Sequence, residues 1–382
     1  VVLVLAGLIV RPSAAQWLQD PETEQRIQRG VVRIYNLEFE EAEQDLAEVI
    51  RRRPDHPAGH FFTAMVQWWR ILSNFSSTSE DEKFYQLLER VIDLCDRRLE
   101  KDENDVTALF FKGGAVGFRG RLRANRGKWV GAANDGVIAL PLVRKAYALD
   151  PHNADVLLGI GIYNYYADVI PDRYPLVKPL MVFFPSGDRK RGLQQLEDAS
   201  RRAVYARTEA KYFLMQNLYM FEKDFGRALT LALELHAAYP KNPLFHRYVG
   251  RCYVANGRLT AANEVFEEVD RRYRTGQRGY DVYDGREASY YLGRREFIAG
   301  NYEAALKHFY RCDEMSRTLD REGPSGFMVM ANLQIGMIYD LQGKRTYATR
   351  QYRKVLGMKD YEGAHATAQN YLSKPYGTPP GS

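Results

Sequence analysis

In the C-terminal third of the chain, apolar residues recur three and four positions apart, in paired segments broken by a short turn containing glycine. That spacing puts them on one face of a helix, so each unit reads as helix, turn, helix. Three units overlay column by column. Val249-Gly250-Arg251-Cys252-Tyr253 is followed by Asn256-Gly257, Ala262 and Phe266; Leu292-Gly293-Arg294-Arg295-Glu296 by Gly300-Asn301, Ala305 and Phe309; Ile335-Gly336-Met337-Ile338-Tyr339 by Gln342-Gly343, Ala348 and Tyr352. The first-helix glycines, the turn glycines and the second-helix alanines all repeat at steps of 43 residues. A small residue on each helix admits a close approach, and the following aromatic fills the space over that contact.

This arrangement resembles the tetratricopeptide repeat, whose L-G-x2-Y…A-x3-F…P pattern has the same internal spacing. Weaker matches extend it upstream: Gly30 with Ala42 and Leu46 before Pro54, then Ala64, Gly113 and Gly161 in the small-residue place, with ALDPHN at 148–153 and AYPKNP at 238–243 as boundary turns. Gln216 stands where a small residue is expected, which predicts a looser contact in that unit. The resemblance covers residues 22 to 373. It implies an all-α, right-handed solenoid of about eight helical pairs over 16–375, closed by a helix over 361–372, with 376–382 a disordered tail.

The small-residue column steps by 34, 49, 48, 55, 34, 43 and 43 residues. The last two excesses over 34 follow the second helix, in loops near 273–284 and 317–325. The three large ones fall within pairs, at 73–82, 119–135 and 170–187. Stacked pairs put all intra-pair turns on one edge, so three oversized connections are expected to meet there as a composite surface. In the third of them the chain is expected to leave helix near Val169 and resume near Asp188, with Ser186 or Asp188 as the cap. An apolar run between, Tyr174 to Phe184, predicts a short amphipathic helix after Pro171 and Pro175. The block from NYYADVIP to GDRKRGL resembles an insert in some long tetratricopeptide proteins of bacteria and eukaryotes.

Composition adds little to this and excludes more. With 45% apolar residues a large core can form, and a net charge of +6 over 102 charged side chains is no nucleic-acid-coating polycation. The run VVLVLAGLIV is too short to span a bilayer, which takes about 20 residues. Ser13 and Ala15 follow it at signal-peptidase spacing, so residues 1–15 read as a signal peptide without its Met and basic n-region, and the protein as exported and periplasmic or envelope-associated. Cys95, Cys252 and Cys312 form no disulfide framework and read as core residues.

Candidate chemistry concentrates in the insertions. Arg119, Arg121, Arg123, Arg126 and Lys128 carry five positive charges beside Trp129 with no acid before Asp135, a pattern that can bind an anionic partner or simply be solvated. The apolar run ending in Phe183 and Phe184 either packs back on the solenoid as extra core or offers a wedge for a membrane surface or a partner groove, with Arg173 a candidate partner contact beside it. The first helices carry Trp68, Trp69, Tyr163, Tyr165, Tyr166, Tyr219, Tyr253, Tyr290, Tyr291 and Tyr339, with Asn164, Asn217 and Arg251, groups able to hold an extended peptide by stacking and hydrogen bonding, although the repeat also uses such aromatics in its core. No HExxH, Walker loop, G-x-S-x-G or CxxC is present, and of the histidines only His56 and His60 stand four apart, across a boundary at Pro57. The reading is therefore a non-enzymatic repeat scaffold for a protein or peptide partner, without cofactor or metal. The alternative is a peripheral envelope protein docking on anionic lipid or a membrane partner through 119–135 and 170–187. A glycan enzyme with a spatially assembled carboxylate pair is a third reading.

Overall fold

The computed structural model describes residues 18, 20–75, 77–173, 178–181, 185–321 and 323–378. The expected signal peptide and residues 379–382 lie outside these. Every regular element among the described residues is helical. The chain divides into two compact units, Val1–Ser73 with Ser77–Glu222, and Lys223–Ser382 with Asn74–Ser76.

The first unit holds α1 (Pro21–Tyr35), α2 (Phe39–Arg52), α3 (Pro57–Ser73), α4 (Asp81–Leu99), α5 (Val106–Asn125), α6 (Trp129–Leu149), α7 (Val156–Arg173), the short α8 (Lys178–Met181), α9 (Arg189–Arg202) and α10 (Arg207–Asn217), which runs into a π-helical turn at Leu218–Glu222. Its pairs are α1α2, α3α4, α5α6 and α7α9. In the second unit α11 (Phe225–Ala238) precedes the pairs α12 (Pro243–Ala255) with α13 (Leu259–Arg274), α14 (Val282–Ile298) with α15 (Tyr302–Leu319), and α16 (Gly326–Leu341) with α17 (Arg345–Leu356), and α18 (Ala364–Ser373) closes the stack. Polar caps start many of these helices: Asp20 before Pro21, Asp105, Asp188, Asn242 before Pro243, and a reciprocal box between Asp281 and Asp284. Of the two expected caps for α9, Asp188 does the work, accepting the Arg191 N–H at 3.0 Å.

The glycine column has one function throughout. A Cβ on Gly250 would sit 2.7 Å from the Phe266 ring, on Gly293 2.8 Å from Phe309, and on Gly336 2.5 Å from Tyr352. At Gly30 the same place is taken by Leu46, at 3.2 Å. In each case a fully buried side chain of the second helix, sixteen residues on, lies flat on bare backbone of the first. Gly161 meets Leu196 and the Gly192 carbonyl, so α7 and α9 approach backbone to backbone. The turn glycines Gly257, Gly300 and Gly343 take φ of 72°, 78° and 70°, the left-handed conformation that ends the first helix of each pair.

The segment 119–135 corrects the expected loop. It is helix on both sides of a three-residue turn at 126–128. Gly127, at φ 71°, is the turn glycine of this pair. It lies fourteen residues after Gly113, where Gly257 lies seven after Gly250, and Ala139 follows it by twelve where Ala262 follows Gly257 by five. The insertion is therefore seven residues on each helix. Seven residues make almost two turns at 3.6 per turn, so both helices lengthen without rotating their apolar faces away from each other. α7 likewise runs through Pro171 to Arg173, beyond the expected exit at Val169. Of the expected amphipathic helix, Lys178–Met181 is helical, and 174–177 and 182–184 lie outside the described residues.

One buried contact in the second unit is invisible to helical patterning. His236 of α11 and His246 of α12 stack with ring centroids 4.3 Å apart and planes 5° from parallel. His246 Nδ1 lies 2.9 Å from the Tyr280 hydroxyl, whose oxygen accepts from Arg272 at 3.0 Å. Burial pushes both imidazoles down, His246 to about 3, with the neighbouring ring and Arg272 acting in the same direction and Glu268 against them.

Two outcomes follow from these contacts. Gly293→Ala is expected to cost about 1–2 kcal/mol in urea denaturation, and adding Phe309→Leu should restore part of it, since leucine already sits over Gly30; strictly additive effects would show that the two residues do not share the space. Unfolded histidine titrates near 6.5, so between pH 7 and 5 the unfolded state takes up a proton that native His246 does not, and stability should fall by about 2 kcal/mol from this residue as the pH drops. His246→Gln should remove that increment from the pH dependence of the urea midpoint.

Candidate peptide-binding surface

Four of the five cations in this segment are paired from within the fold, and Lys128 is exposed. Asp135, fully buried, accepts from Arg119 Nε and Nη2 at 3.0 and 2.7 Å and from Arg123 Nη1 at 2.7 Å. A Cβ at Gly120 would lie 3.0 Å from Asp135 Cβ, so the glycine lets the carboxylate reach the α5 backbone. Arg119 also pairs with Glu89 at 2.5 Å. Arg126 holds both Asp81 carboxylate oxygens, at 2.8 and 2.9 Å, and the Ser77 carbonyl at 2.8 Å, which brings the α3–α4 and α5–α6 connections to one edge. The 185–188 stretch folds back onto its own pair, with the Asp188 N–H on the Asn164 carbonyl at 2.9 Å. Two of the three expected connections thus meet, and the basic stretch between them is a set of helix-to-helix ion pairs.

The first helices of this unit turn their aromatic and amide groups on each other. Arg121 lies 4.8 Å over the Trp68 ring and 4.3 Å over Phe213, and donates at 2.9 Å to Glu209, which also accepts from Tyr35 at 3.1 Å. Trp68, expected on a groove, is fully buried, packed on Phe84 and Phe118. Tyr166 donates to Asn217 at 2.7 Å, and Asn217 is itself fully buried. Asn164 donates to Gln195 at 2.7 Å, and Tyr163, half-buried, donates to the Pro185 carbonyl under Arg144. Of the other candidates here, Trp129 and Arg173 are exposed, while Phe183 and Phe184 lie outside the described residues.

In the second unit, Arg251 is tied to Glu287 through Nε and Nη2, both at 2.5 Å, and Arg247 reaches Glu287 at 2.8 Å and Asp284 at 2.6 Å. Burial pushes Glu287 up, but the two guanidiniums outweigh it and hold the carboxyl below its ordinary range. Asp284 keeps its buried capping position with its carboxyl pushed up to about 7 by burial, against the pull of Arg247. Tyr291 stacks on Phe266 at 4.2 Å and Tyr290 is buried against Phe309, so these rings belong to the core between pairs.

A partly open apolar patch lies at the last turns of α14 and α16. On α14 Ile298 is 65% exposed and Phe297 half-buried, and on α16 Leu341 is 38% exposed. The segment after α18 is seated on this patch. The Tyr376 N–H donates to Asp340 Oδ2 at 2.9 Å, and its ring stands 6.2 Å from Phe297 and 5.2 Å from Tyr371. Gly377, at φ 82°, lies on Leu341, where a Cβ would come to 2.8 Å of Cδ2. Asp340 is held for this by Arg345 at 2.9 Å and the Tyr352 hydroxyl at 2.8 Å. Tyr376 of the expected tail is therefore fixed, and nothing in periodicity marks it; the Pro-Tyr-Gly triplet is the one local signal.

A polar cleft of about 390 Å³ opens between α13, α14 and α15, lined by Glu267, Asp270, Arg271, Arg274, Leu292, Arg295 and His308. Its acids are already paired: Asp270 with Arg274 at 2.8 Å and Arg311 at 2.7 Å, and Glu267 with Arg295. Among the described residues no group of three His, Cys, Asp or Glu side chains is placed to hold a metal ion.

Removing the buried acid of the α5–α6 pair tests the assignment of its basic stretch. Asp135→Asn leaves Arg119 and Arg123 without their shared partner and should cost roughly 3 kcal/mol in thermal or urea unfolding. A change within about 0.5 kcal/mol would mean that the arginines are solvated instead.

A family model described as tetratricopeptide repeat matches residues 217–276. No curated protein matches the chain. Similar solved structures include the human IFIT1 dimer with m7Gppp-AAAA (15% identity, 94% of this chain and 88% of that one, TM-score 0.46). The yeast Tom70 (10% identity, 94% and 89%, TM-score 0.39) and the P58(IPK) TPR domain (14% identity, 92% and 89%, TM-score 0.28) are others. Residues 217–276 thus match the tetratricopeptide-repeat family, and the glycine-under-side-chain pairing that recurs at a sixteen-residue separation in four helical pairs is a repeat of the same helix–turn–helix kind.

Proposed function

We propose that the chain is an exported scaffold that binds a non-helical, aromatic-bearing segment of a partner protein on the last turns of α14 and α16. Tetratricopeptide repeats in general mediate protein–protein interaction. The observation that supports this particular surface is the seating of Tyr376: a backbone N–H on Asp340, a ring beside Phe297 and a glycine on Leu341. These are the elements of peptide capture, one directed hydrogen bond with an apolar anchor next to it. Asp340 is also held by Arg345 and Tyr352, neither of which belongs to the segment, which favours a preorganised acceptor.

The chain's own segment serves as the probe. A chain ending at Ser373, purified from the envelope fraction, should bind the synthetic peptide of residues 374–382 in calorimetry, with Phe297→Ala weakening it about tenfold or more. Mass spectrometry of the same material should find the mature N-terminus at Gln16. Failure of the truncated, folded chain to bind the peptide would remove the surface from consideration, and a chain starting upstream of Gln16 would remove export.

A further inference from the structure

Helix α6 breaks a rule that its neighbour α4 obeys. The second helix of a pair turns one face to the core and one outward, and the outward face is ordinarily polar. On α4 the exposed positions are Glu82, Lys83, Gln86, Glu89, Arg90, Asp93 and Arg97. On α6 the exposed stripe at three and four residue spacing is Val130, Asn134, Val137 with Ile138, Pro141, Arg144, and Ala148 with Leu149. Val130 is 76% and Val137 45% exposed, and Trp129, at the helix start, is 55% exposed. The stripe is mostly apolar along a helix of 21 residues, interrupted only by Asn134 and Arg144.

The charges along the strip are mainly positive. From Gly127 to Leu149 the only acid is Asp135, which is fully buried and held by Arg119 and Arg123, and the half-buried Asp150 follows as the C-cap. The exposed cations are Lys128 beside Trp129, and Arg144 with the half-buried Lys145 toward the other end; Glu103, itself exposed, approaches Lys145 only to 3.9 Å. We propose that the outward face of α6 lies on an anionic lipid surface, with Trp129 and the valine–isoleucine strip entering the headgroup boundary and Lys128, Arg144 and Lys145 meeting lipid phosphates. A tryptophan at the end of an apolar strip with flanking cations is what an interfacial helix needs. Self-association through the same face is disfavoured, because a symmetric contact would bring these cations together with no acid on the strip to pair them. The surface is separate from the peptide-binding one and uses none of its residues.

Vesicle flotation of the full chain tests it. The chain should float with phosphatidylcholine vesicles containing about a third phosphatidylglycerol and stay behind with phosphatidylcholine alone, and Val137→Ser with Ile138→Ser should reduce the floated fraction at least tenfold at unchanged helicity. Because those residues are exposed, the double variant should fold; if its circular dichroism is altered, Lys128→Glu with Arg144→Glu provides the second reading and should also abolish flotation. Quenching of tryptophan fluorescence by brominated lipid should be lost in Trp129→Phe. Wild-type chain that fails to float with anionic vesicles, or variants that float as well as wild type, overturn the proposal. So does a lipid-independent dimer, seen by light scattering, that the serine variant dissociates, which would assign the face to a second copy. Peptide binding by the chain ending at Ser373 should be unaffected in every variant.

Discussion

The contact on which the repeat depends is a large side chain lying on a residue that has none. Phe266, Phe309 and Tyr352 each occupy the volume that a Cβ on Gly250, Gly293 or Gly336 would need. A buried aromatic contributes substantial apolar area, but only if the opposing helix offers a flat surface at van der Waals distance. Glycine provides it at a cost of about 0.5–1 kcal/mol in helix propensity, which burial of the ring offsets. Once that pair is set, the spacing between helices, the place of the alanine and the direction of the turn follow. Leu46 over Gly30 shows the same solution with a smaller ligand for the hollow, and Gly161 against Gly192 shows it carried to backbone contact.

Within this frame the protein handles charge by pairing it across helices. The carboxyl groups of Asp135, Glu287, Asp313 and Asp340 are each covered and each held by arginine or lysine, with Asn332 and the Tyr352 hydroxyl joining two of the sets. Such pairs add less to stability than their Coulomb energy suggests, since both ions lose water. Removing one member is costly, so they fix which helix faces which. This is why a segment that reads as a free basic patch turns out to be internal structure: its counter-charge arrives from the next helix, twelve and sixteen residues on.

The surfaces that remain open are consequently few in kind. On the second unit the last turns of α14 and α16 already hold a piece of the chain's own C-terminal segment, with a donor, an anchor and a glycine contact. On the first unit the outward side of α6 is apolar where an outward side is ordinarily charged. Neither depends on the pairing that builds the core, which leaves both free to carry function.

Helix, turn and pairing were legible from residues alone because they are local: glycine, alanine and aromatic columns at fixed separations report a contact within one hairpin. Ala42, Ala139 and the turn glycines could all be placed this way. The length of α5 and α6 was misread, although Gly127 repeats the turn glycine of Gly257, because a seven-residue extension on each helix looks like one fourteen-residue loop when only the outer columns are aligned. Tertiary structure decided everything that rests on separation in sequence: that Trp68 is buried beneath Arg121, that Glu209 closes on Tyr35, that two histidines stack, that Tyr376 returns to Asp340. Those contacts depend on where whole helices come to lie, and no periodicity within a single helix encodes that distance.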